Sequence, residues 1–209
     1  MHTVPRDPLT FDAATHTYTL DGVRVPSVTD ILRLAGFLDF SRIPADILDA
    51  AQERGTLVHE ALHYLADDDL HPDSVPDAIR GYVEAGIAFR RTAGFSVVAA
   101  ELRVFSRTWQ LAGTVDLVGY WDGEDACLAD YKTGDPADVA ADLQLAAYVE
   151  LLKEMRPDLG IVKRVSVRLT KDGAFHVEPY DDDHTEDWEV FRAALTTVTE
   201  RRRRQKRTW

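Results

Sequence analysis

Leu128-Ala129-Asp130-Tyr131-Lys132-Thr133-Gly134 begins as an apolar strand and ends polar. Side chains two apart on a strand share a face, so Asp130 and Lys132 stand side by side. A strand-like run precedes it, Gln110 to Trp121, in which Asp116 sits among Val115, Leu117 and Val118. A carboxylate in so apolar a setting is costly to bury unless it is paired or holds a cation. Period-two alternation puts Thr114, Asp116 and Val118 on one face and Val115 and Leu117 on the other. If the two runs are neighbours, Asp116 and Asp130 approach closely, and a divalent ion would relieve their repulsion. Oxygen ligands in this number suit Mg²⁺ or Mn²⁺. Such an ion polarises phosphoryl oxygens and activates water, while Lys132 alongside could orient that water and neutralise charge on a phosphate. Taken alone, Asp130-x-Lys132 equally describes a strand-end salt bridge.

Upstream of this pair lies a third strand-like run, Val97 to Ser106, which completes a meander with Gln110–Trp121 and Cys127–Lys132. Downstream, the pattern predicts a helix from Pro136 to Met155, strands at Val162–Leu169 and Ala174–Tyr180 around Lys171-Asp172-Gly173, and a last helix from Thr185 to Arg204. Before the meander, a helix from Pro44 to Leu65 carries the apolar stripe Ile47, Leu48, Ala51, Val58, Ala61, Leu62 and Leu65, interrupted by Gly55. Another, from Pro76 to Thr92, has Ile79, Tyr82, Val83 and Ile87. The chain opens on a hairpin, His16–Leu20 and Val23–Val25 about the turn Asp21-Gly22. Pro26 closes it, and Ser27 with Asp30 forms a capping box for a helix whose apolar side is Ile31, Leu32 and Leu34 and whose end is Gly36. This order describes an α/β domain with a mixed central sheet covered by helices. It divides into an N-terminal elaboration (1–43), a core (44–180) and a C-terminal helix with a basic tail (181–209).

Bulk properties narrow the function classes. At 209 residues, 45% hydrophobic and 29% charged, the chain can bury roughly 70% of its unfolded surface without a covalent staple. A net charge of −12 excludes a protein that coats nucleic acid by bulk electrostatics. The sign is uneven: Asp67-Asp68-Asp69 and Asp181-Asp182-Asp183 read as solvated loops, while Arg201-Arg202-Arg203-Arg204-Gln205-Lys206-Arg207 is either a frayed helix end or an arm for phosphate. One cysteine, Cys127, in the run Ala126–Ala129, reads as a buried strand thiol. No apolar stretch approaches the roughly 20 residues a membrane span needs, and Met1–Pro5 lacks the apolar core of a signal peptide, so an intracellular (cytoplasmic) protein is expected.

Gly113-Thr114-Val115-Asp116, Asp130-Tyr131-Lys132-Thr133-Gly134 and Gln144-Leu145-Ala146-Ala147-Tyr148, with Arg54-Gly55-Thr56-Leu57-Val58-His59 upstream, closely resemble the RecB-like branch of the PD-(D/E)XK nuclease superfamily. The motifs arrive in the family's order, and the hairpin with Pro26-Ser27-Val28-Thr29 is similar to phage and CRISPR-associated exonucleases of that branch. The resemblance implies a restriction-endonuclease-like core and a Mg²⁺- or Mn²⁺-dependent deoxyribonuclease, one or two ions per site, acting on single-stranded or end-containing duplex DNA. It makes His59, Asp116, Asp130 and the Tyr131 carbonyl the metal ligands and Lys132 the catalytic lysine. Gln144 and Tyr148 match the helix motif that positions the lysine and the DNA strand, and four-residue spacing puts both on one helix face. Glu101 reads as an outer or second-metal ligand, or as a solvent-facing strand glutamate. Arg54 is a candidate phosphate contact. His59 alone would suit a core or surface histidine, and His63 lies one turn on, but only His59 has Gly55 at the matching offset. The four cysteines that hold an iron–sulfur cluster in several such exonucleases have no counterpart, and no helicase segment is present, so unwinding would fall to a helicase or another recombination or replication partner. An endonuclease of the same fold, and a nucleic-acid-binding or assembly protein that has lost catalysis, are the alternatives.

Overall fold

The computed structural model describes residues 7–134 and 140–205. Five strands form the central sheet: β4 (Ser96–Ser106), β5 (Leu111–Trp121), β6 (Asp125–Lys132), β7 (Lys163–Leu169) and β8 (Phe175–Tyr180), in that spatial order. All neighbours are antiparallel except β6 and β7. A parallel pair needs a crossover, and α4 (Ala141–Met155) supplies it. The predicted helix start at Pro136 and the tail residues Lys206 and Arg207 lie outside the described residues.

The sheet is covered on both faces. Helices α4, α5 (Thr185–Gln205) and α1 (Val28–Ala35) bury Val104, Val115, Val118, Leu128, Leu145, Leu152 and Phe191 on one side. On the other, α2 (Ala45–Ala66) and α3 (Asp77–Thr92) pack over Leu117, Cys127, Ala129, Val165 and Val167. Cys127 is fully buried, and burial pushes its thiol up to about 12, as its apolar run predicts. Among the described residues no helix is long and apolar enough to cross a membrane.

A separate three-stranded antiparallel sheet, β1 (Leu9–Asp12), β2 (Thr17–Leu20) and β3 (Val23–Val25), precedes α1. The hairpin at Asp21-Gly22 forms as read, with both residues at positive φ, while β1 is an extra strand that four residues did not announce. Leu9, Tyr18, Leu20 and Val25 close over Ala112 of β5, and Ala112 N–H donates to Pro26 O at 3.1 Å. The capping box is present: Asp30 N–H donates to Ser27 Oγ at 2.9 Å, and Ser27 N–H reaches the Asp30 carboxylate at 3.5 Å.

Three apolar stripes differ from expectation. In α2 only the second half is buried, at Val58, Ala61 and Leu62, whereas Ile47 is 57% exposed and Leu48 and Ala51 are half-buried. The first half does not cover the core; its Ala51 and Gln52 line a cleft instead. In α3, Ile87 is exposed and Ala85, Gly86 and Phe89 are buried, because the helix turns its glycine toward α2, where a Cβ on Gly86 would meet Leu62 at 2.6 Å. In α1, Leu34 is exposed and Val28 joins Ile31 and Leu32 inside.

Candidate active site

The site lies where β5 and β6 part. Their pairing runs from Trp121↔Asp125 to Leu117↔Ala129 and stops there, one residue short of Asp116 and Asp130. Past that point β6 keeps β7 on one side, and on the side that faced β5 its backbone and that of the following Thr133 are met by side chains. Tyr131 N–H donates to Asp116 Oδ2 at 2.7 Å, Tyr131 O accepts from His59 Nε2 at 3.1 Å, and Thr133 O accepts from Arg54 Nη2 at 3.2 Å.

On its other side Asp116 faces Glu101 of β4, since Ala100 pairs with Leu117 and Leu102 with Val115. Like charges directly opposite on neighbouring strands repel. Glu101 also holds a left-handed backbone, φ 47°, within β4. A non-glycine residue in that region costs on the order of 1–3 kcal/mol and persists where the surroundings impose it. The strict alternation predicted for β5 slips here: Val115 and Val118 join the cluster under α4, and Leu117 joins the one under α2 and α3.

His59 of α2 resolves the opposed charges. Its Nδ1 lies 3.3 Å from Glu101 Oε1 and 3.4 Å from Asp116 Oδ1. Burial alone would lower the imidazole pKa, but Asp116 and then Glu101 outweigh it and hold His59 well above its ordinary value. Asp116 is correspondingly held below the usual carboxylate range: burial opposes this, and His59 prevails. Both imidazolium N–H groups thus point at oxygens. Ligand atoms of His59, Glu101 and Asp116 all lie within 4.8 Å of one another, a nitrogen and two carboxylate oxygens that could hold a metal ion. One imidazole nitrogen and two carboxylate oxygens converging in this way make a donor set that fits a divalent ion.

Asp130 stands one step back and is 3% exposed. Its Oδ1 accepts from Gln144 Nε2 at 2.9 Å, and its Oδ2 is in charge contact with Lys132 Nζ at 2.8 Å without hydrogen-bond alignment. Burial pushes this carboxyl up to about 6, with Lys132 pulling down and Asp116 pushing up. Gln144 also accepts from Lys132 Nζ at 3.3 Å, so one amide fixes both members of the ion pair. Tyr148, one turn along α4, lies over β5 only because residue 113 is glycine; a Cβ there would stand 2.6 Å from its Cε1. Burial, with Asp130 and Asp116 nearby, raises the Tyr148 hydroxyl well above its ordinary value and keeps it a proton donor.

The structure therefore brings His59, Glu101, Asp116, Asp130, Tyr131, Lys132, Gln144 and Tyr148 to one cleft of about 490 Å³. Glu101, read from sequence as the weaker ligand, belongs to the tight cluster, and Asp130 is held by Lys132 and Gln144. Arg54 does not line this cleft: its guanidinium sits 5.6 Å over the Tyr82 ring and clamps the end of β6. Reasoning from sequence missed the N-terminal wall of the cleft, which Phe11, His16, Tyr18, Ser27 and Thr29 provide. The signal was an aromatic-rich hairpin, read for its turn and its family likeness but not for its rings.

The family model described as "PD-(D/E)XK nuclease superfamily" matches residues 73–208, well over half of the chain. The chain belongs to the PD-(D/E)XK nuclease superfamily, and its mixed five-stranded sheet flanked by helices fits the restriction-endonuclease-like fold. No curated protein matches it in sequence. A solved structure titled "Crystal structure of SSO0001" is similar over 82% of this chain and 75% of that one, at 14% identity and a TM-score of 0.36.

Proposed function

We propose that this protein is a Mg²⁺- or Mn²⁺-dependent deoxyribonuclease of the RecB-like type that degrades DNA from strand ends. The observation that carries the reading is the His59–Glu101–Asp116 donor cluster opening into the same cleft as Asp130, Lys132 and Gln144. Membership of a nuclease superfamily whose members use divalent ions supports it.

His59, Glu101 and Asp116 would hold the ion, with the Tyr131 carbonyl and Asp130 adjacent, and a bound divalent ion supplies Lewis-acid polarisation of a phosphate and acidifies water. The chain's own contribution is placement. Asp130 and Gln144 hold the Lys132 ammonium in the cleft, where it neutralises charge growing on the phosphate and orients the water that attacks phosphorus as the opposite ester bond breaks. Tyr148, next to Gln144 on the same face of α4, would help to hold that amide in place. The net charge of −12 is compatible with DNA as substrate because steering depends on the local field. The setting is intracellular, with any unwinding supplied by a partner.

The test is end-labelled single- and double-stranded DNA with Mg²⁺ or Mn²⁺, comparing the wild type with Lys132→Ala. Wild type should shorten linear DNA and spare covalently closed circles, and the variant should be slower by about 10²-fold or more. Cleaved circles would make it an endonuclease; equal degradation by both proteins would unseat the site.

A further inference from the structure

The cleft has a second wall that the chemistry above does not use. In the N-terminal sheet, Phe11 of β1 pairs directly with Tyr18 of β2, and their rings lie 4.6 Å apart at 35°. His16 meets Phe11 edge-on at 5.1 Å, and the Arg103 guanidinium of β4 lies over the Phe11 ring, 5.4 Å from its centre. The turn that carries His16 is built for this placement. Asp12 accepts from Ala14 and Thr15 N–H at 2.9 and 3.3 Å, and His16 takes φ 51° at its end. The core of this small sheet is closed by Leu9, Leu20, Val25 and Ala112, while Phe11 stays half-buried and His16 exposed, both lining the cleft. Tyr18 fixes the wall to the site. Its hydroxyl hydrogen-bonds Thr114 Oγ1 at 2.7 Å, two residues, about 7 Å of strand, from Asp116. Phe11, His16 and Tyr18 lie outside the stretch that matches the family model.

We propose that His16 and Phe11 form a nucleobase-stacking subsite that selects single-stranded DNA, the incoming base taking the place of the Arg103 guanidinium over the Phe11 ring and releasing that cation to a phosphate. This deepens the nuclease reading and rests on it. Charge points the same way. A chain of net −12 gains little from the dense phosphates of a duplex, whereas stacking is independent of sequence because every base has a π-face. In a duplex those faces are already stacked on each other, so only an unpaired end can use the wall.

The experiment uses the full chain with Ca²⁺ in place of Mg²⁺. It reads the fluorescence anisotropy of a fluorescein-labelled oligothymidylate of about 12 nucleotides, the same oligomer with abasic residues at its end, and a blunt duplex. Wild type should bind the base-bearing strand about 5- to 150-fold tighter than the abasic one, the range for one stacked base, and should prefer it to the duplex. Phe11→Leu keeps apolar bulk without a π-face and should bring the ratio close to one; Phe11→Trp should restore it. His16→Ala, at an exposed position, should lower the ratio even if changes at Phe11 disturb the fold. A wild-type ratio near one, or ratios unchanged in both Phe11→Leu and His16→Ala, overturns the subsite. If labelled DNA also stays intact with Mg²⁺ and Mn²⁺, the nuclease reading fails with it; cleavage with a ratio near one sinks the stacking wall alone.

Discussion

The two halves of β5 are one strand with two fates. From Leu117 to Tyr120 it is paired on both sides, with β4 and β6, and its backbone groups are met by other strands. From Leu111 to Asp116 it keeps β4 but has lost β6. There the open edge of β6 and the residue after it, Thr133, are met by Asp116, His59 and Arg54, while β7 still pairs the other edge. In the closed half, side chains only pack. In the open half the residues that could hold a metal also replace a missing ladder, so the positions of the ligands are set by backbone geometry. A cleft in a sheet needs such substitutes, because buried backbone groups without partners are costly.

The comparison can be broken most sharply across one peptide bond. Asp116→Asn keeps an oxygen for Tyr131 N–H but removes the charge facing His59, and metal-dependent cleavage should fall about 10²- to 10³-fold with little change in Tm. Leu117→Ala, at the next residue, leaves a hole in the closed half and should cost about 2–5 kcal/mol of stability while turnover per folded molecule stays close to wild type. Rates on end-labelled DNA and denaturant melts measure the two. If Asp116→Asn cleaves within a few-fold of wild type, the open half is not the site.

Two glycines repeat the contrast with a smaller effect. A Cβ on Gly119 would stand 2.2 Å from Ser96 O, a backbone atom that cannot yield, so Gly119→Ala should destabilise by about 1–3 kcal/mol or more. On Gly113 the obstacle is the Tyr148 ring, which can swing away. Gly113→Ala should therefore lose less stability and lower the cleavage rate about 10- to 100-fold by displacing Tyr148 and, with it, Gln144, which holds Lys132. Equal losses of Tm with no change in rate would mean that Tyr148 merely fills space.

What was legible from sequence follows how local each cause is. The Asp21-Gly22 turn and the Ser27–Asp30 capping box are decided within four residues, and both form as read. Asp116, Asp130 and Lys132 were legible as polar residues in apolar strands, whereas Gln144 and Tyr148 came only from the family resemblance, with which their one-turn spacing agrees; all line the cleft. Periodicity says which residues share a face but not whether anything covers it, so Ile47 and Leu48 read as core although the first half of α2 is a cleft wall. Glu101 carried the least signal. Its place in the donor cluster depends on a left-handed backbone and on which residue of β5 it opposes, neither of which is written in its neighbours.

The smallest effect expected is a coupling of metal to pH, confined to the open half. Asp130 binds its proton in the fold up to about pH 6, well above its unfolded value near 3.8. A raised acid removes stability as pH climbs between those values. His59, also raised, contributes stability below about 6.5 that is lost as pH rises through its folded value. Carboxylates held low, such as Asp30 and Glu150, stay charged above about pH 5 and add no slope. The metal-free protein should therefore melt lower at about pH 7.5 than at about pH 5.5. A divalent ion reverses the balance, since it favours the unprotonated ligands and offsets the repulsion that the protons were relieving. Metal affinity should weaken about fourfold from Asp130 alone on going from about pH 7.5 to about pH 5.5, and further from His59. The Tm increment from Mg²⁺ over EDTA should shrink in step, and Asp130→Asn should flatten the part that centres near pH 6. An increment that is the same at both pH values would show that protons and metal do not compete, and that the oxygens around His59 are satisfied some other way.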